Sequence, residues 1–173
     1  MFNKTNGAFD LAGLDDFIEK PSYDCNEDEL ENGVKKILNL LGEKPSAIMN
    51  IIASHPFIPA SFLLDDLAEK MNKRNNKEQL VLLFDACSND LIEACLWNLH
   101  DLERCIKSIP TYRDRIIKKV LSNENWIKRI FDGDKEPAKT LKEIEEKYPD
   151  YNDEFIESYN QFYNDANFLS KKY

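Results

Sequence analysis

Apolar residues recur three and four positions apart along almost the whole chain, the spacing of short helices that each bury one face. The first run, about Asp10 to Glu19, carries Leu11, Leu14, Phe17 and Ile18 and is stopped by Pro21. An acidic stretch, Asp24 to Glu31, leads into a second helix with Val34, Ile37, Leu38, Leu40 and Leu41. Gly42 stands where its C-terminal cap belongs. Pro45 suits the first turn of a third helix holding Ile48, Ile51 and Ile52, and Pro59 opens a fourth with Phe62, Leu63, Leu64 and Leu67. Met71 to Lys77 is polar and predicts a loop. The apolar run Leu80 to Phe84 has helical flanks and no partner strand, so it predicts a buried helix. From Ser88 onward, adjacent apolar pairs repeat four positions apart: Leu91, Ile92, Cys95 and Leu96; Ile116, Ile117, Val120 and Leu121; Trp126, Ile127, Ile130 and Phe131. Short helices with short connections predict antiparallel helical hairpins.

The second half is also self-similar. Ile109 to Ile117 and Tyr148 to Ile156 both read apolar-Pro-x-Tyr-x-Asp-x-apolar-Ile, and Leu102 and Cys105 match Leu141 and Ile144 at the same offset. The stripe of Leu91, Ile92, Cys95 and Leu96 returns as Trp126, Ile127, Ile130 and Phe131. The difference in offset falls in the Asp132 to Pro137 loop, where an insertion costs little. A degenerate third copy begins at Pro56, with Ile58, Phe62 and Leu63 in the Tyr and apolar places. In each unit the proline ends one helix and starts the next, the tyrosine buries its ring with its hydroxyl at a polar edge, and the aspartate sits in a first turn where negative charge suits the helix dipole.

Ile109 to Phe131 resembles the helical repeats of many Legionella-type secreted effectors, which often stand beside ankyrin arrays. The resemblance is carried by Pro110, Tyr112, Asp114, Ile116, Ile117, Val120, Leu121, Ser122, Asn123, Trp126, Lys128, Arg129 and Ile130. Ile109 and Tyr148 stand where those repeats usually have Phe, and Trp126 also replaces a Phe. The second copy lacks the Val-Leu-Ser-Asn run. The resemblance covers about Cys87 to Ile156. It implies a scaffold rather than an activity, and delivery into a host cell through a type IV apparatus.

Composition narrows the function classes. The 173 residues suit one domain, and five glycines and seven prolines are too few for the turns of an all-β sandwich or barrel. A net charge of -9 argues against a nucleic-acid binder, which needs cations to displace counterions from phosphates. The N-terminus lacks a basic segment followed by an apolar core, so no signal peptide is expected. No apolar run approaches the ~20 residues that cross a bilayer, and membrane binding is not expected. Cys25, Cys87, Cys95 and Cys105 form no C-x-x-C pair and read as reduced, half-buried thiols of a cytosolic protein. Charge is segregated: residues 1–31 carry net -7, residues 104–129 net +6 and residues 132–158 net -6. Solvated helix faces account for such blocks. The alternative is a basic strip of Arg113, Arg115, Lys118, Lys119, Lys128 and Arg129 that docks an acidic partner or an anionic lipid head group.

Chemical motifs are sparse. Cys95-x4-His100-x4-Cys105 lacks the close Cys pair and the glycines of a zinc knuckle, and steps of five rotate the ligands off one helix face. Asp24-x-Asn26-x-Asp28 and Asp132-x-Asp134-x-Glu136 imitate calcium loops, but Glu29 and Pro137 occupy the positions that need glycine. Neither His55 nor His100 lies in a nucleophile motif, and the glycines build no phosphate loop. No catalytic, cofactor or metal residues are assigned.

The expectation is a single all-α domain, a compact bundle or irregular α-solenoid of short antiparallel helices with an internal repeat. It divides into acidic N-terminal helices over 1–44, a degenerate repeat over 45–86, clearer repeats over 87–160 and a C-terminal helix or tail over 161–173. The expected function is a non-enzymatic protein-interaction module, a bacterial effector found in the bacterial cytoplasm and translocated into the host cytosol. A cytosolic adaptor or chaperone of a secretion system is the alternative, and a small enzyme with a loop-built site a third. The partner is a protein of the host or the secretion machinery. Its candidate contacts are Trp97, Arg113, Arg115, Lys118 and Lys119, with Trp97 just beyond its helix's apolar stripe and Trp126 buried on another.

Overall fold

Asparagine and proline set most of the helix starts. The structure, a computed structural model, describes residues 12–132 and 136–163. Helix α1 spans Ala12–Glu19, so Asp10 and Leu11 lie outside the described residues. Helix α2 spans Glu27–Glu43 behind a capping box: the Asn26 side chain accepts from the Glu29 N–H, and the Glu29 carboxylate accepts from the Asn26 N–H, both at 2.9 Å. Helix α3, Pro45–Ser54, has proline in its first turn, and α4 covers Ala60–Lys73. Helix α5 is Val81–Cys95, and α6, Leu99–Ser108, is capped by Asn98. Helix α7 is Arg113–Leu121, and α8, Glu124–Phe131, is capped by Asn123. Helices α9, Pro137–Lys147, and α10, Asn152–Tyr163, complete ten α-helices among the described residues, joined by four short 3-10 turns and no strand.

Several boundaries differ from expectation, each for a local reason. Helix α2 runs through Gly42 and ends at Lys44, because a residue before proline is pushed out of the helical region; Lys44 takes φ -146° and ψ 68°. The loop expected from Met71 shrinks to Arg74–Asn76. Met71 is buried on α4, and Asn75 at φ 57° closes the helix as a left-handed cap: its N–H reaches Asn72 O at 3.0 Å and the Asn76 N–H reaches Met71 O at 2.9 Å. Leu80 to Phe84 is helical as expected, with Leu80 ending a 3-10 turn and the rest beginning α5.

The Pro-x-Tyr segments take the same course. Pro110–Tyr112 and Pro149–Tyr151 are both 3-10 turns, each leading directly into a helix. The preceding residues match closely: Ile109 at φ -133°, ψ 66° and Tyr148 at φ -132°, ψ 56°. Lys44 before Pro45 shares this conformation, whereas Pro56 to Leu63 does not. Pro56 lies in a bend, and Pro59 caps α4. A third copy at Pro56 is therefore not built.

The most extensive helix–helix packing is α3 on α5 and α4 on α6, helices two apart in the chain rather than hairpin neighbours. Toward the C-terminus α10 packs on α8 and α9. One buried apolar cluster runs from Leu14 to Tyr159, so the described helices form an all-α bundle around a shared core. A buried lysine helps close it. Lys70 on α4 is fully covered, and its Nζ donates to the carbonyls of Phe17 (2.6 Å) and Ile18 (3.1 Å) at the end of α1, with the Asp66 carboxylate at 2.8 Å. It thus places a cation on the negative end of α1. No helix among the described residues is long and apolar enough to cross a membrane.

Candidate functional site

A groove between α5 and α7 gathers most of the predicted contact residues. On α7, Ile116, Ile117 and Val120 are fully buried, which turns Arg115 and Lys118 toward solvent. On α5, Cys87 leaves the helical region (φ -134°, ψ 30°) and kinks the helix. Asp85, Ser88 and Asn89 then face α7. Arg115, Lys118 and Lys119 line a pocket of about 290 Å³ with Phe84, Asp85 and Ser88. Lys119 also borders the next depression, about 420 Å³, with Asn89, Asp90, Glu93, Ser122, Asn123 and Trp126.

The cations are held loosely in the first pocket and tightly beyond it. Arg115 lies 3.7 Å from Asp85, and its guanidinium stands 5.1 Å from the Tyr112 ring centre. The Asp85 Oδ1 already accepts the Tyr112 hydroxyl at 2.5 Å. That bond, together with desolvation, raises the Tyr112 phenol above its ordinary pKa. Lys119 donates to the neutral Asn89 side chain at 2.8 Å. Lys118 has no ion-pair partner among the described residues. Arg129, in contrast, is part of the framework. It donates to the carbonyls of Glu93 (3.0 Å) and Leu96 (3.1 Å) at the end of α5, pairs with the Glu93 carboxylate and lies 4.6 Å from the Trp97 ring centre. Trp126 is buried, as the stripe predicts, and its Nε1–H donates to the same Glu93 at 2.5 Å. The Trp126 and Arg129 hydrogen bonds hold the Glu93 carboxyl below its usual range. Lys128 pairs with Glu124 one turn away.

Arg113 is not in the groove. Its guanidinium forks onto Asp150 at 2.7 and 2.8 Å, touches Asp114 at 3.2 Å and lies 5.6 Å from the ring centres of both Tyr148 and Tyr151. It joins the start of α7 to the second Pro-x-Tyr corner. Trp97 is 62% exposed at the α5–α6 junction, beside the groove's far end through Arg129. Asp85, Ser88 and Asn89 were not singled out from the sequence. Their spacing along the polar face of α5 is a signal, but the kink that turns them to α7 leaves no mark in it.

The remaining chemistry-bearing residues do not converge. Cys95 and Cys105 are buried, and burial pushes the Cys105 thiol up to about 12. His100 is exposed beside Glu103 at 3.7 Å. Asn26 of the first calcium-like stretch is used as a helix cap, and residues 133–135 of the second lie outside the described residues. Among the described residues no group of three or more His, Cys, Asp or Glu is arranged to hold a metal ion. The His55 Nδ1 accepts the N–H groups of Phe57 (3.2 Å) and Ile58 (3.0 Å), shaping the turn before α4. Ser61 and Asp101 form a buried 2.6 Å hydrogen bond between α4 and α6, and Asp101 also accepts the Trp97 N–H. No protein-family model matches the chain, and no curated protein or solved structure is a match to it.

Proposed function

We propose that this protein is a non-enzymatic protein-interaction module, a bacterial effector delivered into a host cell, whose docking face is the α5–α7 groove. The observation that carries the docking face is the set of loosely held cations at Arg115, Lys118 and Lys119, in a chain with a formal charge of -9. Nearby Arg113, Lys128 and Arg129 are neutralised within the fold, so the groove is where this strip still has charge to offer. Trp97 would border the partner as an aromatic anchor. Delivery to a host rests on the resemblance of the Ile109 to Phe131 segment to effector repeats.

A second reading, an adaptor or chaperone of a secretion system, draws on two exposed aromatics elsewhere, Phe57 (88%) and Tyr23 (80%), which suit capture of apolar client segments. The two readings separate by capture from host lysate and from bacterial lysate, with Lys118→Glu combined with Lys119→Glu as the control variant. The effector reading expects a host partner whose capture weakens with salt and is lost in the variant, while the thermal melt hardly moves. Unchanged capture by the variant at low and high salt would rule out the groove as the docking face.

A further inference from the structure

We propose that the Arg115–Lys118–Lys119 pocket binds the phosphate of a phosphorylated serine or threonine in a partner segment that carries a basic residue close to the phosphate. This rests on reading the chain as an interaction module and specifies what its groove accepts.

The pocket has the chemistry of a phosphate site. Arg115 offers a planar fork and Lys118 and Lys119 two point charges, against one carboxylate, Asp85. The Asp85 Oδ1 is occupied by the Tyr112 hydroxyl, and its 3.7 Å approach to Arg115 is too long for a direct hydrogen bond. The guanidinium lies over the Tyr112 ring, 5.1 Å from its centre, a contact made through its face that leaves in-plane N–H donors to give. The Ser88 side chain has no hydrogen-bond partner among the described residues and lines the same pocket, so its hydroxyl can donate as well. A phosphomonoester carries roughly -1.5 to -2 near neutral pH and three strong acceptor oxygens, which matches this set better than a single carboxylate does.

The neighbouring depression adds an acid: Asp90 has no ion-pair partner among the described residues, while Glu93 is already held by Arg129 and Trp126. Asp90 and Glu93 line it, Asn123 and Ser122 add polar groups, and Lys119 stands between the two spaces. A bound segment would place its phosphate among the cations and a basic side chain toward Asp90. The same acids disfavour an anionic bilayer. A flat, negatively charged surface reaching Lys118 would also bring charge up to Asp85 and Asp90, on a chain already at -9. A peptide can thread the alternation of sign, and a membrane cannot.

The test uses the isotope-labelled full chain and amide chemical shifts. The probes are a short blocked peptide Gly-phosphoserine-Gly-Arg-Gly, its unphosphorylated twin, and a version with Asp replacing the Arg. Phosphatidylcholine vesicles containing phosphatidylinositol phosphate form a separate sedimentation arm. The phosphopeptide should shift the amides around Ser88, Asn89, Lys118 and Lys119. The twin should leave them in place, and the Asp version should bind roughly tenfold more weakly. K118Q with K119Q should abolish the shifts while the rest of the spectrum stays native, and Asp85→Asn should tighten binding. Absent shifts, equal shifts with the twin, or retention in the Gln variant would each overturn the proposal. Sedimentation with vesicles in the absence of peptide binding would overturn it in favour of a lipid. A host partner captured equally before and after phosphatase treatment, and lost in the Lys-to-Glu variant, would keep the interaction module and discard the phosphate.

Discussion

Single residues carry constraints that their types do not announce. Gly33 sits inside α2, where alanine normally stabilises a helix by up to ~1 kcal/mol. Here a Cβ would fall 2.3 Å from the ring of Phe17, which is itself buried against α2. Gly33→Ala is expected to destabilise by about 1–3 kcal/mol, the cost of overpacking, reversing the propensity gain; a urea melt decides the sign. Lys70 is the other case. In the sequence it is one lysine among the polar positions of α4, yet it is fully buried against two carbonyls and Asp66. Lys70→Met keeps the volume but removes both the cap on α1 and the countercharge of Asp66. The expected loss is about 3 kcal/mol, and hydrogen exchange should rise first in α1. An unchanged melt would show that Lys70 is a passenger. Neither constraint was legible beforehand, because both depend on which helix arrives opposite and not on local pattern.

At the scale of elements, stripes and proline-marked helix starts were legible and contacts between helices were not. The pairs Ile116–Ile117 and Ile127–Ile130 face inward as their spacing requires, whereas the caps at Asn26, Asn98 and Asn123 were not read from the sequence. Glycine at position 42 misled because the proline after Lys44 decides where α2 ends. The candidate groove was half legible. Alternation on α7 turns Lys118 outward, but the fate of Arg113 and Arg129 depends on Asp150 and Glu93, which are distant in the chain. The junction of α5 and α8 gives a test of that distinction. Trp126→Ala removes a core ring and a donor to Glu93, and should cost ~3–5 kcal/mol. Arg129→Ala uncovers the last carbonyls of α5 and should cost about 1–2 kcal/mol. Lys128→Ala, which loses only a pair with Glu124 on the same helix, should stay within about 0.5 kcal/mol. If all three melt alike, the division between framework cations and available ones fails.

For the whole molecule, burial of acids in their protonated form sets the alkaline limit. The Cys105 thiol is pushed up to about 12 from 9.0, and the Tyr148 phenol to about 12 from 10.0, chiefly by burial. In the unfolded chain both lose their protons earlier, so the folded state holds protons that the unfolded state has released. Their contribution is complete below about pH 9 and declines as pH rises toward 12. The urea midpoint should therefore fall above pH 9, and Tyr148→Phe should make the fall between pH 10 and 12 shallower while leaving neutral stability nearly unchanged. An identical alkaline profile for that variant would remove Tyr148 as a contributor. The all-helical class was readable from periodicity alone, whereas the order of packing was not, since amphipathic stripes do not say which stripe they will meet. That order, α3 on α5 and α4 on α6, has a bearing on synthesis. A growing chain that has released α3 and α4 already holds α1 and α2 but still lacks the helices that each packs on most extensively. Part of the buried face of α3 then waits in the open until α5 has cleared the ribosome, and part of that of α4 waits for α6. A nascent polypeptide that has emerged from the ribosome only as far as Asn76 is expected to be the species most prone to sticking, and the one a ribosome-associated chaperone would find to hold.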